Sequence, residues 1–218
     1  MKISLPLMAL LISVPFSAAA ADNLSYNYVE ADYVTGKVVN TKADGWGLKA
    51  SYAFHPNFHV FGGYQKLKLK TPTKGSDSQW NIGVGYNYEI GANTDLLTRV
   101  SYQQLKQTGY PKPFKGWTVE AGVNHAFSPN FSAFFLAGYE DFGKTEVGKM
   151  ERLTPSGHIV PVLNRKGVQM PFKVDPKGKF FGRVGAQYNI NENFAINAEV
   201  KKYVKGGVQW SIGPRITW

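Results

Sequence analysis

Residues 79–90 alternate strictly between two kinds of side chain, and this alternation constrains the fold more than any other feature. The even positions from Trp80 to Ile90 are all large and apolar, whereas the odd positions from Gln79 to Glu89 are polar or glycine. A period of two is typical of a β-strand with one apolar and one polar face. Because aromatic side chains stand towards both ends of the apolar face, we expect that face to meet a lipid bilayer rather than a soluble core.

The same alternation recurs along the chain and predicts an all-β fold. The predicted strands, each near the roughly 9–11 residues that a tilted transmembrane strand needs, are Leu24–Gly36, Gly45–Phe54, Phe58–Leu69, Gln79–Ile90, Asp95–Lys106, Gly116–Phe127, Phe131–Phe142, Lys179–Ile190, Phe194–Lys205 and Val208–Trp218. We therefore expect a closed antiparallel transmembrane β-barrel of about ten strands. Eight strands is the alternative, because the first and ninth segments are the least regular.

Short and long connections alternate between these strands. The tight turns are His55–Asn57, Gly91–Thr94, Ser128–Asn130 and Asn191–Asn193. The other connections are Lys37–Asp44, Lys70–Ser78, Gln107–Lys115, Gly143–Gly178 and the short Gly206–Gly207. Short turns on one side and long loops on the other are typical of a bacterial outer-membrane barrel, with the turns in the periplasm. We expect residues 143–178 to be a long extracellular insertion, in which the apolar run Ile159–Leu163 forms a short hairpin strand or a contact site.

The first residues have the pattern of a secretory signal peptide. Lys2 precedes an apolar run from Ile3 to Phe16, and four alanines at 18–21 follow it. We expect residues 1–21 to be a signal-peptide helix that is removed, and residues 22–218 to form a single barrel domain in the bacterial outer membrane. The chain has 25 Lys and Arg against 15 Asp and Glu. For an exported monomer this excess favours anionic lipid or surface polysaccharide as partner, and not nucleic acid.

Aromatic residues are expected to form two belts at the membrane interfaces. The predicted outer belt is Trp46, Trp80, Trp117, Phe180 and Trp210, and the predicted periplasmic belt is Phe54, Phe127, Phe131, Phe194 and Trp218. The last strand ends on Trp218, which is the kind of C-terminal strand that the outer-membrane assembly machinery reads. Pro214 lies within it and cannot donate to the sheet, so we expect a missing hydrogen bond or a local bulge there.

Four segments carry a resemblance to a known family: Ser25–Glu30, His55–Gly62, Gly182–Gln187 and Gly213–Trp218. They resemble the small xanthomonad-type outer-membrane β-barrel proteins, which are often labelled diffusible-factor or quorum-sensing proteins. The resemblance spans nearly the whole mature chain except the loops. It implies the barrel fold and an expected link to quorum sensing or virulence, and it brings no catalytic residues. The insertion at 143–178 and the basic outer loops depart from that family.

Charged residues on the polar face form a candidate site inside the barrel. They stand at similar heights above the periplasmic strand ends and are Glu30, Lys49, Arg99, Glu120, Arg183, Glu199 and Arg215. Because buried charges must be paired to be tolerated, we interpret them either as an ion-paired plug or as solvated residues lining a pore.

The outer loops are rich in basic residues, which include Lys70, Lys74, Lys112, Lys115, Arg152, Arg165 and Lys166. We expect these side chains to neutralise the phosphates of neighbouring lipopolysaccharide. The alternative is a surface for an extracellular ligand that the sequence does not identify.

Candidate catalytic, cofactor and metal sites are not apparent in the sequence. The chain has four histidines and no cysteine, and His55, His59 and His125 all lie towards the periplasmic side. Only the pair Ser156 and His158 is placed on the outer side, in a loop. We expect a non-enzymatic barrel with a role in envelope structure and surface interaction. The alternatives are a small-solute pore and, second, a lipid A-modifying barrel enzyme.

Overall fold

The computed structural model of the chain describes residues 24–38, 41–70, 75–154 and 159–218. The predicted signal peptide, residues 1–21, lies outside these ranges. Across the described ranges no helix is long and apolar enough to cross a membrane.

Ten long strands form the body of the structure, and four short strands lie in one loop. The long strands are β1 Tyr28–Val38, β2 Thr41–His55, β3 Phe58–Leu69, β4 Ser76–Gly91, β5 Thr94–Gln107, β6 Phe114–Ser128, β7 Phe131–Phe142, β12 Lys179–Asn189, β13 Phe194–Tyr203 and β14 Val208–Thr217. The short strands of the loop are β8 Thr145–Lys149, β9 Glu151–Leu153, β10 Ile159–Pro161 and β11 Pro171–Val174.

The ten long strands form a closed antiparallel barrel, as the alternation predicts. Each strand pairs with its neighbours in the chain, with β7 followed by β12, and β14 pairs back to β1. The closing pair runs from Tyr28 opposite Thr217 to Lys37 opposite Val208. The prediction of ten strands is confirmed, and the alternative of eight is wrong.

Several strands are longer than expected because their ladders continue above the membrane. β2 has 15 residues and β4 has 16. The long loop predicted at Lys37–Asp44 is wrong, since β1 and β2 stay paired as far as Val38 opposite Thr41. Continuing the ladder satisfies backbone groups that a loop would leave to water.

The first strand begins later than predicted. Residues Leu24–Asn27 precede β1, which starts at Tyr28. The side chains of Leu24 and Tyr26 are buried, so this segment enters the periplasmic end of the barrel instead of extending the wall.

The long outer loop has a structure of its own. β8 pairs with β11, β9 pairs with β10, and an isolated bridge joins Leu163 to Gln169. The hairpin strand predicted within Ile159–Leu163 is therefore present as β10.

Pro214 interrupts the ladder at the closing seam. Partners between β1 and β14 stop at Glu30 opposite Arg215 and resume at Tyr33 opposite Ile212, in the same register. The backbones approach closely here, because a Cβ on Gly213 would lie 1.8 Å from the Ala31 carbonyl oxygen. The prediction of a missing ladder contact is confirmed, and it takes the form of a gap and not a bulge.

The two faces of the wall differ as a membrane barrel requires. The outward face is apolar and exposed, and it includes Leu48, Tyr52, Val84, Phe135 and Ile212. The inward face carries buried polar and charged groups, such as Glu30, Asn87 and Glu120. This arrangement inverts that of a soluble protein and fits a hydrocarbon surround.

Candidate functional site

Glu30 lies at the centre of the inward charges. It comes from β1 and its side chain is fully buried. Its carboxylate accepts hydrogen bonds from Lys49 Nζ at 2.9 Å, Arg215 Nε at 2.6 Å and Asn197 Nδ2 at 3.2 Å. Since β13, β14, β1 and β2 are consecutive around the barrel, the register places these three donors around one acid.

The remaining predicted charges continue the same network across the lumen. Lys49 Nζ also lies 3.5 Å from Glu199, and Glu199 lies 3.7 Å from Arg183. Arg183 contacts Glu120, whose carboxylate lies 3.9 Å from Arg99. The structure thus brings all seven predicted lumen residues into one connected set.

One member of this network was missed by the sequence analysis. Asp32 lies 3.0 Å from Lys49 Nζ and is 4% exposed. With it, the four cations of the network face four carboxylates, so the formal charges balance. Its position two residues beyond Glu30 on the same face was the signal that could have identified it.

A second missed group closes the periplasmic end. Tyr26 enters the barrel from the segment before β1 and donates a hydrogen bond of 2.7 Å to Asp95. Its ring stacks on the imidazole of His59 with centroids 4.7 Å apart, and it packs with Leu97 and Leu136. The strand parity that Tyr26 shares with Glu30 indicated an inward side chain, but it could not show the contacts with Asp95 and His59.

A chain of glutamine amides crosses the lumen above the charged network. Gln209 donates to Gln65 at 3.0 Å, Gln65 to Gln79 at 3.1 Å, and Gln79 to Gln103 at 2.8 Å. These residues come from β14, β3, β4 and β5. The amide chain lies between the charged network below and the outer mouth above.

A second ion cluster lies beside this amide chain. Lys201 contacts Glu140 at 2.9 Å, and the Tyr203 hydroxyl donates to the same carboxylate at 3.0 Å. The Lys201 ammonium also lies 4.0 Å from the centroid of the Phe181 ring. These residues were not identified from the sequence.

Three cavities lie within the lumen that the described residues enclose. One of about 50 Å³ lies between Tyr26 and the charged network, and one of about 140 Å³ lies between that network and the amide chain. The third, about 250 Å³, forms the outer mouth. The charged network stands between the first and second of these spaces, and the amide chain stands between the second and third.

The predicted aromatic residues lie at the two ends of the apolar wall. Outward and exposed are Trp46, Trp80, Phe180, Trp210, Phe54, Phe127, Phe131, Phe194 and Trp218, while Trp117 is half-buried. Neighbouring rings contact one another within the outer set, such as Trp80 with Tyr102 at 5.5 Å and Trp117 with Tyr139 at 5.6 Å.

The predicted basic loop residues are exposed where the structure describes them; Lys74 lies outside those ranges. Lys70 pairs with Asp44 at 2.7 Å, and Lys112 pairs with Glu146 at 2.8 Å. The hydrogen bond from Lys112 lowers the pKa of Glu146. Lys115, Arg152, Arg165 and Lys166 are exposed.

Basic residues are distributed unequally between the two ends of the barrel. Among the described residues, every lysine and arginine outside the central network lies at or beyond the outer strand ends. The periplasmic end instead carries the acids Glu89, Asp95 and Glu192. The described outer end is therefore strongly cationic.

The described histidines lie towards the periplasmic end of the barrel. Ser156 and His158 lie outside the described residues. His59 is buried at the periplasmic end, and His125 hydrogen-bonds Thr94 at 2.7 Å near the same end. Within the described part of the chain, no three acidic or histidine side chains are placed to hold a metal ion.

Solved barrels resemble the chain only distantly. A TodX monoaromatic hydrocarbon channel mutant is 10% identical, with a TM-score of 0.44, over 86% of this chain and 66% of that one. The NanC porin is 8% identical, with a TM-score of 0.48, over 86% of this chain and 100% of that one. The Ail attachment protein of Yersinia pestis is 15% identical, with a TM-score of 0.36, over 88% and 95%. At these values the likeness carries no argument about ligands.

Sequence comparison places the barrel in a family. No curated protein matches the chain. A family model described as the outer membrane protein beta-barrel domain matches residues 7–162, more than half of the sequence. Together with the closed ten-strand barrel and its apolar outer wall, this match supports location in the outer membrane. The chain belongs to the outer membrane protein β-barrel domain family.

Proposed function

We propose that this protein is a closed, non-enzymatic outer-membrane barrel whose cationic outer end binds the anionic surface of the outer leaflet. The observation that carries the proposal is the charge distribution: a neutral ion-paired lumen, an acidic periplasmic end and a basic outer end. The role is structural and adhesive, within the envelope, and the expected partner is lipopolysaccharide.

Three layers support a closed lumen. Tyr26 and its partners fill the periplasmic end, the network around Glu30 crosses the middle, and the amide chain lies above it. Opening a path through the network separates buried ion pairs, and removing one partner of such a pair costs about 3–5 kcal/mol. A barrel of ten strands has in any case a much narrower interior than the 16–18-stranded porins.

The outer charges support binding to an anionic surface. A lysine or arginine near such a surface contributes about 1 kcal/mol of attraction, which falls off within a Debye length. Lys112 and Lys70 use one acidic partner each, whereas Lys115, Arg152 and Lys166 make no ion pair within the described ranges. Several unneutralised cations at one end give an interaction that salt weakens.

The experiment compares vesicles that differ only in their outer surface. Purified barrel is placed in detergent and mixed with vesicles of lipopolysaccharide or of neutral phospholipid, at low and at high salt. We expect preferential, salt-sensitive binding to lipopolysaccharide and no stable conductance in planar bilayers. Equal binding to both surfaces would refute the surface role, and large stable conductance would refute the closed lumen.

A small-solute pore is the second candidate, and the cavities favour it. The outer mouth of about 250 Å³ and the 140 Å³ space share Gln65, Gln79 and Gln209 in their linings, so the amide chain is the boundary between them. Rearrangement of Gln65 and Gln79 would join the two. Liposome swelling with sugars of increasing size separates this candidate from a closed barrel.

The finer expectations are proposals that rest on sequence. The resemblance supports a link to quorum sensing or virulence, which a deletion strain with unchanged signalling would remove. A lipid A-modifying activity would depend on Ser156 and His158, and unchanged lipid A masses in the His158→Ala strain would exclude that dependence.

Export through residues 1–21 predicts a mature N-terminus near Asp22. Recognition by the assembly machinery predicts failed insertion when Trp218 is deleted, and a monomer is expected on sizing in detergent.

A further inference from the structure

Two lysines and a serine stand in one row on the outward face of the barrel wall. Lys66 on β3 is the register partner of Ser78 on β4, and Ser78 is the partner of Lys106 on β5. Neighbouring strands lie about 4.8 Å apart, so the two lysine Cα atoms are about 10 Å apart with only Ser78 between them. We call these three residues the lysine clamp.

The clamp faces lipid and not the lumen. Its members alternate with residues whose side chains point inward, among them Gln65 and Gln79, which hydrogen-bond each other in the lumen at 3.1 Å. Lys66 and Lys106 are exposed and Ser78 is half-buried.

The clamp lies at the depth of lipid headgroups. Tyr64 precedes Lys66 by two residues, and Trp80 follows Ser78 by two, so the clamp stands about 7 Å above the aromatic belt. Trp80 contacts the Tyr102 ring with centroids 5.5 Å apart, which gives an apolar surface directly below. Lysines at this height extend their ammonium groups into the headgroup layer.

The clamp charges have no protein counter-ion. Within the described ranges neither Lys66 nor Lys106 makes an ion pair, and Asp44, the register partner of Lys68 on the same face, is paired with Lys70 at 2.7 Å. The lysine at the matching height across the barrel, Lys202, has Gly182 and Val208 as its register partners. Val208 also pairs with Lys37, so two lysines flank it, but its side chain has no hydroxyl. Among these rows of the described wall, the β3–β5 row places a hydroxyl between its two lysines.

We propose that the lysine clamp binds the phosphate of a lipid in the outer leaflet, with lipopolysaccharide as the source. A phosphate monoester carries close to two negative charges and three acceptor oxygens, which matches two ammonium groups and one hydroxyl donor. The acyl chains then lie along Tyr64, Trp80 and Tyr102. This inference rests on the proposed surface role and moves the principal contact from the outer loops to the barrel wall.

The test measures lipid binding by native mass spectrometry of the whole barrel in detergent. The lipids are lipid A with two phosphates, one phosphate or none, and inorganic phosphate is added as a competitor. We expect the wild type to retain phosphorylated lipid A, and K66Q/K106Q to lose roughly tenfold or more in affinity for it. Ser78→Asp should abolish the preference by repulsion. Inorganic phosphate at equal concentration should not displace the lipid, because it lacks acyl chains; displacement would identify free phosphate as the source and overturn the lipid assignment.

A matched control removes two exposed lysines of strands β8 and β11 in K149Q/K173Q. Heat-modifiable gel migration verifies that all variants are folded. Retained binding by the control supports the clamp. If K66Q/K106Q binds phosphorylated lipid A as tightly as the wild type, or if both double variants lose the same affinity, the clamp proposal is overturned. The proposed surface role stands in either case. A wild-type barrel that binds all three lipid A forms equally refutes the surface role as well.

Discussion

Replacing Glu30 by glutamine is the most informative perturbation of the lumen. The substitution keeps the volume of a fully buried side chain and removes only its charge. Lys49 and Arg215 lose the acid that accepts their hydrogen bonds at 2.9 and 2.6 Å. The network, balanced in the wild type, then has an excess of one positive charge.

The expected cost follows from the burial of the partners. Removing one member of a buried ion pair costs about 3–5 kcal/mol, because the other charge stays desolvated. The glutamine oxygen can still accept one hydrogen bond, so we expect the low end, about 3 kcal/mol. At about 2–4 °C per kcal/mol for a chain of this length, the unfolding temperature should fall by about 6–12 °C.

Urea unfolding in detergent or lipid vesicles, followed by tryptophan fluorescence, measures this cost. Lys112→Gln is the control, since it breaks an exposed pair with Glu146, and exposed pairs contribute little to stability. In the double variant Glu30→Gln/Arg215→Gln, charge balance returns, and the cost should be below the sum of the single variants by about 0.5–3 kcal/mol. If Glu30→Gln costs no more than the control, the lumen charges are solvated and the argument for a closed barrel is refuted.

Three further predictions concern the seam, the lipid face and the loops. Gly213→Ala should abolish the heat-modifiable folded form, because the new Cβ would lie 1.8 Å from a carbonyl oxygen of β1. Gly182→Ala is the control and should fold, because nothing lies within 4 Å of its Cβ. Normal folding of both variants would contradict the close approach at the seam. Val84→Lys should lower the free energy of unfolding in vesicles by about 2–4 kcal/mol, since it places a charge in the hydrocarbon, and a loss below 1 kcal/mol would argue against lipid contact there. The hydrogen bond from Lys112 lowers the pKa of Glu146. The stabilisation from this pair is therefore fully present above the ordinary glutamate pKa of about 4.3 and is lost as the pH falls through the lower pKa of the folded state. NMR titration should give a higher Glu146 pKa in Lys112→Gln than in the wild type, and equal pKa values would contradict the pairing.

The barrel wall could be predicted from the sequence because a membrane strand carries its signal locally. Alternation along residues 79–90 gives both the strand and the direction of each side chain. Turn residues such as Pro56 and Asn57 mark the periplasmic ends. The ends of strands above the membrane could not be predicted, because β1 and β2 continue their ladder into water, where hydrophobicity no longer distinguishes the two faces.

The candidate site was predictable only where it repeats the wall pattern. Glu30, Lys49 and Arg183 stand on the polar face at similar heights, so their proximity follows from strand geometry. The partners of Tyr26 could not be predicted, because its segment precedes the first strand and its hydroxyl contacts Asp95 on a strand far away in sequence. Tertiary packing decides which residues contact a segment that lies outside the barrel wall.

The position of Glu30 and Arg215 on the first and last barrel strands has a consequence for assembly. These side chains meet only when β1 and β14 pair, next to the gap that Pro214 leaves in their ladder. An unclosed sheet would hold the carboxylate and the guanidinium apart, each in a lipid-exposed margin where an uncompensated charge is costly. Pairing of these two charges and closure of the sheet are therefore one event. A substitution of either residue should raise the free energy of barrel closure while the other strand pairs still form.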